Sequence, residues 1–541
     1  MAADLAITGA TVRTMDPARP VSDAVAVRAG RIEAVGSEEV RAATGRTTEV
    51  LHLPERLVLP GFQDAHVHPP SSGLERLRCD LNAIENREGY REEIAAYATA
   101  HPEAEWILGG GWSMAAFPGG TPRREDLDDV VHDRPAFLPN RDGHGAWVNT
   151  KALELAGIDS ATPDPTDGRI ERDPDGAPTG TLHEGAMDLV ERLVPEPEAE
   201  SWELAILEAQ RYLHSVGITA WQDATVEPPT LKAYRDLDDR GLLTARVVAA
   251  LLWDHHRDED QIEDLLELRR WGRGGRVRAG TVKIFLDGVV ENFTASMLDP
   301  YLGADGEATG NRGLRLADPD DFARNAIALD REGFQLHFHA IGDRAVRDGL
   351  DAVEAVREAN GLADRRAHIA HLQVVHPDDV PRFAALDVVA NAQALWALHE
   401  PQMDDLTIPF LGPERATHQY PFGSLLRAGA RMAMGSDWSV STPDPFAQME
   451  VAVTRVEPEH RANRPFLPNE RIDLSSALEA FTRGSAFVNR LDGETGVIAP
   501  GMLADLVVVD RDIAAPDAGP IGDARALLTM VDGRVVHKGD L

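Results

Sequence analysis

Cysteine is almost missing from this 541-residue chain. Cys79 is the only one, which excludes intrachain disulfides and any metal site built from several thiolates. Lysine is nearly as scarce: Lys151, Lys232, Lys283 and Lys538 are the whole set, and arginine supplies the rest of the positive charge. No apolar run approaches the roughly 20 residues that cross a bilayer. The start, from Met1 to Ile7, lacks a basic segment followed by an apolar core, so no secretory signal is read and a cytoplasmic location is expected.

What the chain has in excess is negative charge. Asp and Glu number 90 against 54 Lys and Arg, a formal net charge of −36 that is spread along the sequence rather than gathered in a tail. Such a surface repels nucleic acid and anionic membranes, so neither is expected as a partner. An acidic, lysine-poor surface also fits a high-salt cytoplasm, where screening relieves self-repulsion. A GC-rich genome would account for the missing lysines but not for the acidity.

The length exceeds one ordinary core, so a large barrel with additions or several domains is expected. Residues 4–58 read as short strands separated by turns, and the chain's end repeats that texture at Asp505–Val509 and Leu527–Val536. Between them, apolar strand candidates alternate with amphipathic helical stretches, the pattern of an α/β barrel. The strands read as the segment ending at His66-Val67-His68, then Gly217–Asp223, Ala245–Leu251, Thr281–Asp287, Gln335–His339, Ala367–His371, Val388–Ala392 and Arg431–Asp437. A helix over 319–332, with Phe322, Ala326 and Leu329 on one face, fits between the fourth and fifth. The long interval between the first and second strands holds Trp106–Trp112, Pro135–Asn149 and a Pro/Asp/Gly-rich stretch, and reads as an insertion over the barrel mouth.

The most specific stretch is Leu59-Pro60-Gly61-Phe62-Gln63-Asp64-Ala65-His66-Val67-His68. Alternate side chains share a face of a strand, so His66 and His68 point the same way and make half of a metal clamp. Together with Gly435-Ser436-Asp437-Trp438 and the terminal Gly496–Leu506 segment, this stretch resembles the amidohydrolase superfamily, in particular its YtcJ-like branch, which contains N-substituted formamide deformylase. The resemblance spans essentially the whole chain. It implies a (β/α)8 TIM barrel (59–490), a β-sandwich built from both termini (1–58 and 491–541) and an inserted subdomain (75–205) between the first and second barrel strands.

Strand ends of a parallel barrel converge on one face, so ligands distant in sequence can meet there. The candidates are His66 and His68 from the first strand, Lys283 from the fourth, His339 from the fifth, His371 from the sixth and Asp437 from the eighth. This set matches the superfamily's two-metal pattern. His339 is chosen over His337, and His371 over His368, because their surroundings resemble the family's motifs; His337 is read as a core or supporting histidine, and His368, of opposite alternation, as facing the helices. Lys283 shares a face with Phe285 and Asp287, while Val282, Ile284 and Leu286 face the helices. A buried lysine favours its neutral amine, which can take up carbon dioxide and, as N6-carboxylysine, bridge two cations. Pairing with Asp287 or Asp437 is the alternative.

The implied reaction is hydrolysis of a C–N bond in a small amide, N-substituted formamide or cyclic amide. A hydroxide held by two divalent ions attacks, and Asp437 acts as proton acceptor and donor. Histidine and carboxylate donors suit zinc, with manganese or iron fitting the same set. Trp112, Asp142, His144, Trp396 and Trp438 are candidates for substrate contacts, with Phe117 beside them. Ala392-Gln393-Ala394 departs from the branch's usual Gln-Pro pair, which leaves that loop's shape open. The competing readings are a single-metal deaminase, which Lys283 argues against, and a non-catalytic barrel used for assembly, which the full ligand set argues against. A homodimer is expected from the family.

Overall fold

The computed structural model describes residues 2–316 and 318–540; Met1 and Leu541, the outer limits of the expected terminal segments, lie outside them. The barrel strands are β1 (Phe62–Val67), β2 (Ile218–Val226), β3 (Arg246–Leu252), β4 (Val277–Phe285), β5 (Gln335–Ala340), β6 (His368–His371), β7 (Val389–Ala392) and β8 (Met432–Met434). They pair in sequence order, every pair parallel. Just beyond the ends of β1 and β8, the Asp437 N–H donates to the His66 carbonyl at 2.8 Å and the His68 N–H to the Trp438 carbonyl at 3.0 Å, bringing the two edge strands together. Among the described residues no helix is long and apolar enough to cross a membrane.

Alternation decides which side chains face inward. Val282, Ile284, Leu336, Phe338 and Ile369 share one core with Phe322, Ala326, Leu329, Val346, Leu350 and Val353 of the surrounding helices. Each of these Val, Leu, Ile and Phe side chains contributes about 1.5–3 kcal/mol on burial. The helix expected over 319–332 runs Pro319–Arg331 with its three expected apolar residues buried, and the Asp318 side chain caps its first N–H groups. Register then sets residues of adjacent strands side by side: Lys283 beside His337, Phe285 beside His339, and His337 beside His368.

Here the reading of His368 is corrected. Its ring lies 4.0 Å from that of His337, and its Nδ1 accepts from the Asn391 side-chain amide at 3.1 Å, so it faces the interior rather than the helices. Alternation fails because His371 has φ +79°, a left-handed conformation that turns the end of β6. His368 and His371 therefore both point inward despite their opposite parity.

The stretch from Leu59 to His68 is divided at Gly61, with the first barrel strand starting at Phe62. Leu57–Pro60 pairs antiparallel with Leu506–Val509, in an eight-stranded sheet that joins strands from both ends of the chain. That sheet is tied to the barrel through Arg246 of β3, whose guanidinium pairs with Asp505 and Asp532. A third sheet, of six strands, spans Cys79–Asp80 to Pro178–Glu184.

Arg246 and Asp505 are both buried. Removing the guanidinium leaves an uncompensated buried carboxylate, so Arg246→Ala is expected to lower the free energy of unfolding by about 3–5 kcal/mol. Chemical unfolding checks this; a change of under about 1 kcal/mol would mean that Asp505 is resolvated or protonated at little cost.

Candidate metal centre

Asp437 follows β8 with φ +53°, and its carboxylate meets side chains from two other strand ends. Oδ1 lies 3.2 Å from His66 Nε2 and 3.0 Å from His68 Nε2, and Oδ2 lies 3.8 Å from His371 Nδ1. Donor atoms of His66, His371 and Asp437 all fall within 4.8 Å of one another. Two local devices permit this approach. Gly435 leaves the space that a Cβ would fill 2.6 Å from the His66 Cβ. Asp64, one turn of the pleat before His66, accepts from the His66 and Ser436 N–H groups at 3.0 Å each and so links β1 to β8.

The other expected residues lie beside this group. His339 stacks edge-on to His371 with ring centres 4.4 Å apart, and its Nε2 is 3.3 Å from the Gly288 carbonyl. Lys283 is wholly buried, with Nζ 4.3 Å from the centre of the Phe285 ring. Asp287, its suggested partner, is instead engaged by the N–H groups of Ser296, Ile341 and Gly342 at 2.8–3.0 Å. His337 donates to or accepts from His66 Nδ1 at 2.8 Å, a contact that aims the opposite nitrogen of His66 at Asp437.

Burial sets the protonation states. It lowers the His66 and His368 imidazoles to about 3 and those of His337, His339 and His371 well below their ordinary value, so these rings are neutral and keep a lone pair. It also lowers the Lys283 ammonium to about 7, with Asp437 and Asp223 opposing the shift. Asp437 feels the same burial, which favours its neutral acid, but the surrounding imidazoles of His66, His68 and His371 hold it well below the usual carboxylate range. Both ring nitrogens of His371 and Nε2 of His66 are buried without a hydrogen-bond partner. Unpaired buried groups of this kind cost about 1–3 kcal/mol each. Neutral imidazoles with free lone pairs around an ionised carboxylate fit a divalent cation.

A cavity of about 540 Å³ opens above the cluster. Trp396, Trp438 and Asp142 line it, and Trp396 stacks face-on to His371 at 5.2 Å. Trp112 does not reach it. It is a core residue of the insertion, packed on Phe117 and Trp147 with its indole N–H donating to the Leu138 carbonyl at 2.7 Å, because a buried Trp needs a partner for that group. His144 sits 5.1 Å from the His339 ring, and its Nδ1 is 2.8 Å from Glu184 at the end of the insertion's strand Pro178–Glu184. Gln393, in the loop whose shape the sequence left open, accepts from the His371 N–H at 2.6 Å and so holds the left-handed turn.

Glu184, Asp64 and Gln393 were missed at the level of sequence. Asp64 had a signal, its place two residues before His66; Glu184 had none, since its partner is 40 residues away in another strand.

Residues 49–537 match the sequence profile of the amidohydrolase family. The chain is 33% identical to Protein LONG AFTER FAR-RED 3 of Arabidopsis thaliana, over 99% of this chain and 92% of that one. It is 30% identical to N-substituted formamide deformylase of Arthrobacter pascens, over 98% and 97%. The crystal structure of an uncharacterized metal-dependent hydrolase from Pyrococcus furiosus superposes with a TM-score of 0.71 at 27% identity, covering 94% of this chain and 99% of that one.

Burial alone would deprotonate His144, but Glu184, with Asp142 and Asp437, outweighs it and pushes the imidazole up to about 9. A raised histidine pKa stabilises the fold fully below its ordinary 6.5 and loses that contribution as pH rises through about 9. In metal-stripped protein, the thermal-midpoint gap between wild type and Glu184→Gln should be widest below pH 6.5 and close as pH passes about 9. A gap independent of pH would mean that His144 is neutral beside Glu184.

Proposed function

The chain belongs to the amidohydrolase family, and from that premise we propose that it is a metal-dependent hydrolase of C–N bonds in small N-substituted amides, formamides or cyclic amides. The observation that carries this reading is the ionised Asp437 set among neutral, buried histidines, next to a cavity whose wall includes the adjoining Trp438 and the Trp396 stacked on His371. The relative that is an N-substituted formamide deformylase supports the choice of bond.

His66, His68 and Asp437 would hold one divalent cation and His339 and His371 a second, with a carboxylated Lys283 shared between them. Zinc, or else manganese or iron, would polarise the substrate carbonyl and acidify a water. The chain's own groups do the rest. Lys283, held near 7 by burial, has a neutral fraction at physiological pH whose nitrogen lone pair adds to carbon dioxide and releases a proton, giving the carbamate. Asp437 takes the proton of the attacking water at a carboxylate oxygen and returns it to the leaving nitrogen. Trp396 fixes the His371 ring by stacking, and Trp438, Tyr212 and Leu398 give the cavity an apolar wall for the nitrogen substituent. Lys283 weighs against a single-metal deaminase, which has no bridging position to fill.

Release of amine from a panel of N-substituted formamides, acyl amides and cyclic amides tests the reading. Asp437→Asn should lower kcat by about 10²–10⁴; turnover within a few-fold of wild type would remove Asp437 from proton transfer. Lys283→Ala should lose metal and regain part of its activity with short carboxylic acids that replace the carbamate. Full metal content in that variant would refute the bridge.

A further inference from the structure

We propose that Asp167, His255 and His256 form a second cation site, outside the barrel, that binds zinc and fastens the inserted sheet to the barrel wall. Asp167 directly precedes the insertion's strand Gly168–Arg172, and the two histidines follow β3. None of the three lines the cavity above Asp437.

Both histidines converge on a single carboxylate oxygen. Both Nε2 atoms lie 3.2 Å from the same oxygen, Asp167 Oδ2, with the two rings 4.0 Å apart. Only the His255 contact is a hydrogen bond. The second imidazole makes no hydrogen bond of acceptable geometry there, whereas a cation would use both nitrogens together with the oxygen. Donors about 2.0–2.2 Å from a tetrahedral zinc are separated from one another by about 3.3–3.6 Å, a little more than the 3.2 Å seen between each nitrogen and the Asp167 oxygen. The His66 and His68 contacts with Asp437, at 3.2 and 3.0 Å, repeat the spacing. Two imidazoles and one carboxylate suit zinc, with water completing the set.

The donors are also held in place. Gly185 gives its N–H to the Asp167 carbonyl at 3.1 Å, and any side chain at 185 would collide with the Asp167 carboxylate, which rests against the glycine. Asp254 accepts the His256 N–H at 2.8 Å, while the buried Gln261 side chain bonds the Asp254 N–H and the carbonyls of Asp254 and Arg257. Asp188 and Asp254 add negative charge beside the group. Side-chain exposures of 16%, 30% and 59% for Asp167, His255 and His256 leave the site open to ions from solvent. Because Gly185 follows Glu184, a cation here would brace the strand end that carries the His144 partner.

The test compares wild type with His255→Gln/His256→Gln, both dialysed against metal-free buffer and then titrated with zinc. Elemental analysis should find one zinc fewer per chain in the variant, and the rise in thermal midpoint that zinc gives the wild type beyond saturation of the barrel should be lost. Equal zinc per chain in the two proteins, or binding outside the barrel only at millimolar zinc, would overturn the proposal. His256→Gln alone, at the most exposed of the three positions, guards against misfolding of the double variant: it should weaken the same binding step, and an unchanged affinity would count against the site.

Discussion

Everything in this molecule is arranged around keeping ionisable side chains out of water at the centre of a barrel. His66, His337, His339, His368, His371, Lys283, Asp64 and Asp437 are all buried there. A charge moved from water into such a place without partners is heavily penalised, so the groups adjust: imidazoles and the lysine shed protons, and one carboxylate stays ionised among them. The result is a concentration of lone pairs with few hydrogen-bond donors to satisfy them. The same burial that would be a liability in an empty core gives the cluster the unpaired donors that a cation site needs.

The rest of the fold serves that cluster mechanically. Asp64 and Gly435 bring the first and last strands together at the level of the histidines. Left-handed backbone at His371 aims a side chain that ordinary strand alternation would misdirect. Such conformations persist only where surroundings over-determine them, and Gln393 supplies part of that constraint for His371. The insertion contributes Asp142 and Arg141 to the cavity and Glu184 to His144, so the barrel mouth is finished by a sheet with its own apolar core.

Much of this was legible in the sequence because parity and strand order are carried by short patterns. Apolar residues at 282, 284, 336 and 338 put Lys283, His337 and His339 inside, and the paired histidines at 66 and 68 marked the first strand. Parity failed between His368 and His371, where the positive φ of His371 resets the phase, and no local signal for that conformation exists in a histidine. Trp112 misled because an aromatic in an insertion can serve a pocket or a core with equal propensity; its neighbours Phe117 and Trp147, distant in sequence from the barrel, decided for the core. The Glu184 contact depends on the antiparallel register of two strands about 40 residues apart in the inserted sheet, which no local spacing encodes.

The most direct test of the central claim is to locate the metal by anomalous diffraction from crystals of protein purified without chelators. The account predicts two peaks inside the barrel, one bounded by His66, His68 and Asp437 and the other by His339 and His371, with carboxyl density on Lys283 Nζ between them. A single peak beside a bare Lys283 amine would contradict it.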